Sequence, residues 1–120
     1  MQVEELRDLA VTALEDMKAV DVQVIDVRSK TSITDFFVVA SGNSGRHVKA
    51  CAEAVAFKAK QAGEPPLGQE GFTEGEWALL DLNGVVVHVM QARVRDFYQI
   101  ERLWKVDVEQ AERLTKQRGQ

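Results

Sequence analysis

Apolar and polar positions follow two different periods along this chain. Near the start, Val3, Leu6, Ala10, Ala13 and Met17 recur three or four residues apart with charged side chains between them, which predicts an amphipathic helix over residues 2–19. Residues 22–27 read as a strand. Residues 34–41, Thr-Asp-Phe-Phe-Val-Val-Ala-Ser, are β-branched and aromatic enough for a second strand buried on both faces, and the short Ser29-Lys30-Thr31-Ser32 link predicts an antiparallel pair. A second helix is expected after Ser44 as N-cap, with Val48, Cys51, Ala52, Val55, Ala59 and Ala62 on one stripe and Gly63, Pro65 and Pro66 ending it. A short strand at 67–72, a hairpin at 77–90 and a helix at 94–104 complete the pattern. From Asp107 onward only Val108, Ala111 and Leu114 recur, so this tail either extends a helix or frays.

The hairpin carries the sharpest signal. Asn83-Gly84 lies between two β-prone runs, and a two-residue type I′ turn needs positive φ at both central positions, which Asn and Gly tolerate. With that loop, Leu82 faces Val85, Leu80 faces Val87 and Ala78 faces Val89, giving one uniformly apolar face. The other face sets Trp77 against Met90, Leu79 against His88 and Asp81 against Val86. Such a mixture suits a binding surface. It suits equally well a face lying beneath a second layer of helices or the C-terminal segment, and register alone does not separate the two.

The order helix, two strands, helix, three strands, helix predicts a two-layer α+β domain with a mixed, about five-stranded sheet and one sheet face available. At 120 residues and 45% hydrophobic content, a single compact domain is the economical reading. The formal net charge of −4 argues against direct wrapping of nucleic-acid phosphate and favours a basic protein partner. No apolar run approaches the roughly 18 residues that span a bilayer, and the acidic, amphipathic N-terminus does not read as a targeting peptide, so a soluble cytoplasmic protein is expected, with no membrane partner. The single cysteine, Cys51, excludes an internal disulfide and reads as a small core hydrophobe.

Two constellations invite an enzymatic reading. Ser41, Gly42, Asn43, Ser44, Gly45, Arg46 and His47 lead from a strand into a helix N-terminus, where free N–H groups beside Arg46 and His47 suit an anion; they suit as well a structural turn ending in an N-cap. The loop lacks the spacing and lysine of a phosphate loop. His47 and His88 with Glu70 and Asp81 have no ligand spacing on one element, and Ser41 or Ser44 with His47 lacks a nucleophile elbow and an orienting acid. No catalytic residue, metal or cofactor is expected.

A family resemblance rests on the run at 32–44 followed by Arg46-His47-Val48, then Glu70-Gly71, Trp77, Leu80-Asp81, the run at 85–90, Phe97-Tyr98, Glu101, Leu103 and Trp104. In this order these motifs resemble the Iojap family, the ribosomal silencing factors, over residues 1–105, leaving 106–120 as a charged C-terminal extension. The resemblance implies a domain that binds the large ribosomal subunit through its fourteenth ribosomal protein, blocks joining of the small subunit, represses translation when nutrients run short and assists large-subunit maturation. It also implies homodimers and a nucleotidyltransferase-like fold. The transferase alternative requires a Gly-Ser loop and two alternate carboxylates on the next strand to hold metal ions. Here Gly42 precedes Asn43 and a long helix, Glu74 and Glu76 lie in a polar link, and Asp81 stands alone on its strand. Carried onto the ribosomal reading, Trp77 and Met90 are the apolar anchors with Leu79 beside them. Asp81 pairs with a basic side chain, His88 hydrogen bonds, and Arg95 and Tyr98 extend the patch. Phe97, Ile100 and Trp104 are expected in core or dimer packing.

Overall fold

The computed structural model describes residues 1–100 and 102. The elements run α1 (Val3–Asp16), β1 (Val20–Asp26), β2 (Phe36–Gly42), α2 (Gly45–Gln61), β3 (Gly68–Glu70), β4 (Trp77–Asp81), β5 (Val85–Gln91) and α3 (Ala92–Tyr98). This is the expected order. The strands form one mixed five-stranded sheet, β1-β2-β5-β4-β3, in which β2 and β5 run parallel and the other pairs antiparallel.

Helices α1 and α2 cover one face. Leu6, Ala10 and Leu14 of α1 and Val48, Cys51, Ala52, Val55 and Ala59 of α2 are buried against Phe36, Val38 and Ala40 of β2 and against Ala78, Leu80, Leu82, Val85, Val87 and Val89 of the hairpin. The apolar hairpin face therefore has its core, and each buried Val or Leu side chain contributes about 1.5–3 kcal/mol. Hairpin register is as read: Leu80 pairs with Val87 and Leu79 with His88, while Asn83 (φ 62°) and Gly84 (φ 103°) form the turn. Ser44 caps α2, its Oγ accepting from the His47 N–H at 3.1 Å.

Several boundaries differ from the sequence reading. Helix α1 stops at Asp16, where Met17 caps it and Lys18 takes φ 62°. Strand β2 begins at Phe36; just before it the Asp35 carbonyl accepts from the Val27 N–H, and the Asp35 N–H donates to the Gly84 carbonyl, both at 3.0 Å. Ala62 is the exposed cap of α2 and leaves its buried stripe. Helix α3 begins at Ala92 and ends at Tyr98, since Gln99 adopts left-handed φ 49°, ψ 44°; the single helix expected over 94–104 is not formed. The expectations for Phe97 packing, Glu101, Leu103, Trp104 and the 106–120 extension fall outside the described side chains and residues.

Candidate partner-binding face

On the side away from α1 and α2, sheet register aligns side chains in rows across the strands. Ile25, Phe37, Val86, Asp81 and Gly68 form one row; Gln23, Val39, His88, Leu79 and Glu70 form the next; Ser41, Met90 and Trp77 form a third. The period of two along β2, β4 and β5 makes this a single surface, which β1 joins from Gln23 onward after a shift of register.

That surface divides into a covered part and an open part. Val94 of α3 and the partly buried Ile100 pack over Met90, Val39, Ile25 and Val27, forming a second, smaller core. Met90 is therefore 0% exposed and is no anchor for a partner, contrary to the sequence reading. His88 at 6% and Arg95 at 4% exposure are likewise withdrawn from direct contact. The remaining predicted residues stay accessible. Trp77, Leu79 and Asp81 are half-buried, and Tyr98 is 55% exposed with its ring 4.9 Å from that of Trp77. Phe37 and Val86, half-buried in the same rows, belong to this patch, with exposed Glu70 at its margin. Phe37 was missed as a site residue because only the parallel β2–β5 register sets it beside Val86. Thus part of the face lies beneath a second layer, as one of the two sequence alternatives had it, and the rest stays accessible.

The buried residues support the open ones. Arg95 Nη1 donates to the Asp21 carbonyl at 2.8 Å, to Ser41 Oγ at 3.0 Å and, more weakly, to the Val20 carbonyl at 3.4 Å, tying α3 to the start of β1. The Trp77 indole N–H donates to His88 Nδ1 at 3.1 Å, and the His88 ring meets Phe37 edge-on at 5.1 Å. Burial pushes the His88 imidazole down from 6.5 to about 4, so it is neutral at pH 7.

The Ser41–His47 segment uses its polar groups internally. Asn43 N–H donates to His47 Nδ1 at 2.8 Å, His47 N–H donates to the cap, and His47 Nε2 lies 2.7 Å from the Met17 carbonyl oxygen, which it meets as a donor because Nδ1 is the acceptor. Ser41 Oγ accepts from Arg95, and Arg46 is exposed. A Cβ on Gly42 would lie 2.6 Å from Val48 Cγ2 and 2.9 Å from the Val48 backbone nitrogen, so this glycine permits close strand–helix packing. The arrangement favours the turn-and-cap reading over the anion site. A cleft of about 550 Å³ beside it is lined by carboxylates, Asp21 and Asp96, as well as by Arg93 and Arg95. Glu76 pairs with Arg93 at 3.1 Å. Among the described residues no three His, Cys, Asp or Glu side chains gather as a metal site, and no helix is long and apolar enough to cross a membrane.

Comparison with known proteins agrees with this architecture. The family model described as "Ribosomal silencing factor during starvation" matches residues 1–120. A Chromobacterium violaceum protein named ribosomal silencing factor RsfS is 47% identical over 104 residues, 87% of this chain and 85% of its own. A crystal structure of a protein from that organism superposes with a TM-score of 0.87 at 46% identity, covering 89% of each chain. The mouse protein named mitochondrial assembly of ribosomal large subunit protein 1 is 32% identical over 100 residues, covering 81% of this chain and 44% of its own. With both the sequence matches and the superposed fold spanning most of its length, the chain belongs to the ribosomal silencing factor family.

Proposed function

We propose that this protein binds the large ribosomal subunit through its fourteenth ribosomal protein, using the open part of the sheet face, and thereby blocks joining of the small subunit and represses translation in the cytoplasm. The observation that carries the reading is the patch itself: Phe37, Trp77, Leu79, Val86 and Tyr98 keep apolar surface accessible beside the acidic Asp81 and Glu70. Aromatic residues anchored in a rigid sheet are the usual centre of an interface, and flanking carboxylates suit a basic, rRNA-embedded partner. The name of the mouse relative, which refers to assembly of a ribosomal large subunit, supports that subunit as the partner and a role in its maturation. Repression by occupancy requires no turnover and no cofactor. Nucleotide transfer, the other reading raised by the sequence, draws no support from a loop whose Asn43 and His47 N–H groups are already bonded within the chain.

The test is co-sedimentation with isolated large subunits. Trp77→Ala, with its fold confirmed by circular dichroism, is expected to weaken binding by about 2 kcal/mol or more. Phe57→Ala, which trims an exposed ring on the helical side, is expected to leave it unchanged. Equal binding by wild type and a folded Trp77→Ala protein would remove this face from the interaction. A variant that binds normally yet permits subunit joining would refute the steric mechanism.

A further inference from the structure

The indole of Trp77 stands on the open face, but the group that fixes it lies underneath. An indole N–H only donates, so its 3.1 Å contact with His88 Nδ1 requires a lone pair there. In the neutral ring the proton must then reside on Nε2. That atom is buried, and it meets no hydrogen-bonding atom of the described chain. An orphaned buried donor is destabilising, so a histidine is a poor choice for packing alone. Its advantage is the acceptor it turns toward Trp77. The ring is held from the other side by Phe37 at 5.1 Å, and Trp77 in turn carries Tyr98 at 4.9 Å, so orientation passes from β2 through β5 and β4 to α3.

We propose that His88 is a positioning residue for the docking face: as the Nε2-protonated tautomer, it accepts the Trp77 indole N–H at Nδ1 and thereby sets the plane that the indole presents to the partner. The consequence for affinity rests on the ribosomal reading above; the tautomer and the orientation of Trp77 do not. A residue acting this way discriminates between replacements of similar size. Asn carries its Oδ1 where His carries Nδ1 and retains the acceptor, whereas Leu fills the space without one.

Nitrogen-detected NMR of the free full-length protein at pH 7 reads the tautomer directly, and exchange of the Trp77 indole proton reads its hydrogen bond. The expected result is an unprotonated Nδ1, a protonated Nε2 and a protected indole proton, with protection retained in His88→Asn and lost in His88→Leu. In sedimentation with large subunits, His88→Leu should bind about tenfold more weakly and His88→Asn within about threefold of wild type. A protonated Nδ1 in the wild type would overturn the proposal without any variant. So would an indole proton equally protected in folded His88→Leu, or wild-type affinity in a His88→Leu protein whose indole has been released. Failure of the wild type to sediment with large subunits would refute the docking reading, while the spectra would still decide the role of His88.

Discussion

Replacing Arg95 with Met should destabilise the domain by about 2–3 kcal/mol, and the source of that loss is separable. Two short bonds, to the Asp21 carbonyl at 2.8 Å and to Ser41 Oγ at 3.0 Å, each contribute about 1.5–3 kcal/mol as hydrogen bonds from a charged donor. The 3.4 Å contact with the Val20 carbonyl adds little, being at the long limit for a hydrogen bond. Against the gross loss stands relief from burying a guanidinium, a desolvation cost of several kcal/mol that Met does not carry. Met also preserves part of the packing of the side-chain stem. The ion pair between Arg95 and Asp21 is the weaker contributor, because its separation is 3.4 Å and the Asp21 side chain is 61% exposed. Asp21→Asn removes the charge, tolerates the residue's φ of 51° and should cost less than about 0.5 kcal/mol. Equilibrium urea unfolding of the three proteins provides the assay, with the change in midpoint multiplied by a common slope. Equal losses for Asp21→Asn and Arg95→Met would show that the ion pair dominates and that the carbonyl bonds do not. An Arg95→Met protein within about 0.5 kcal/mol of wild type would refute the assigned tie between α3 and β1, as that value is the ordinary range of inconsequential substitutions.

Gly42→Ala should cost roughly 1–3 kcal/mol in the same assay, since the new methyl meets both the side chain and the backbone of Val48; a neutral result would mean that β2 and α2 can separate freely. Stability should also fall between about pH 6.5 and 4, because the unfolded chain takes up a proton that folded, neutral His88 refuses; it is fully present above 6.5. From that shift the loss is on the order of 3 kcal/mol by pH 4, and urea midpoints that fall equally in His88→Asn would refute the assignment. Asp26, held down to about 2 by Arg28, acts in a separate window: its stabilising effect is lost only as pH falls from the ordinary carboxylate range toward 2.

Local chemistry made much of the fold legible. Asn83-Gly84 fixed the hairpin register, and the spacing of Val48, Cys51, Ala52, Val55 and Ala59 identified the buried stripe of α2. Two facts were not available locally. The parallel pairing of Phe37 with Val86 joins segments far apart in the chain, and without it Phe37 reads only as one member of a buried strand. The coverage of Met90 by Val94 depends on where a seven-residue helix lies, which periodicity does not report. Arg95 misled for a related reason: arginine is ordinarily exposed, and its burial is favourable only where Asp21 and Ser41 converge on it. Trp77, Leu79, Asp81 and Tyr98 remain accessible, Trp77 at the margin of that second core with the exposed ring of Tyr98 beside it.

The parallel contact between β2 and β5 also dictates a sequence of events during synthesis. Residues 36–42 cannot complete their central ladder until residues 85–91 have been made. Until then the nascent chain holds α1, β1, β2 and α2 with one edge of β2 unpaired, an open template for strand addition by another chain. Closure of so distant a pair is slow compared with formation of the local hairpin, so β4 and β5 are expected to arrive as a preformed unit and dock onto that edge. The interval before docking is the period in which this domain is most exposed to misassembly and has most use for a chaperone.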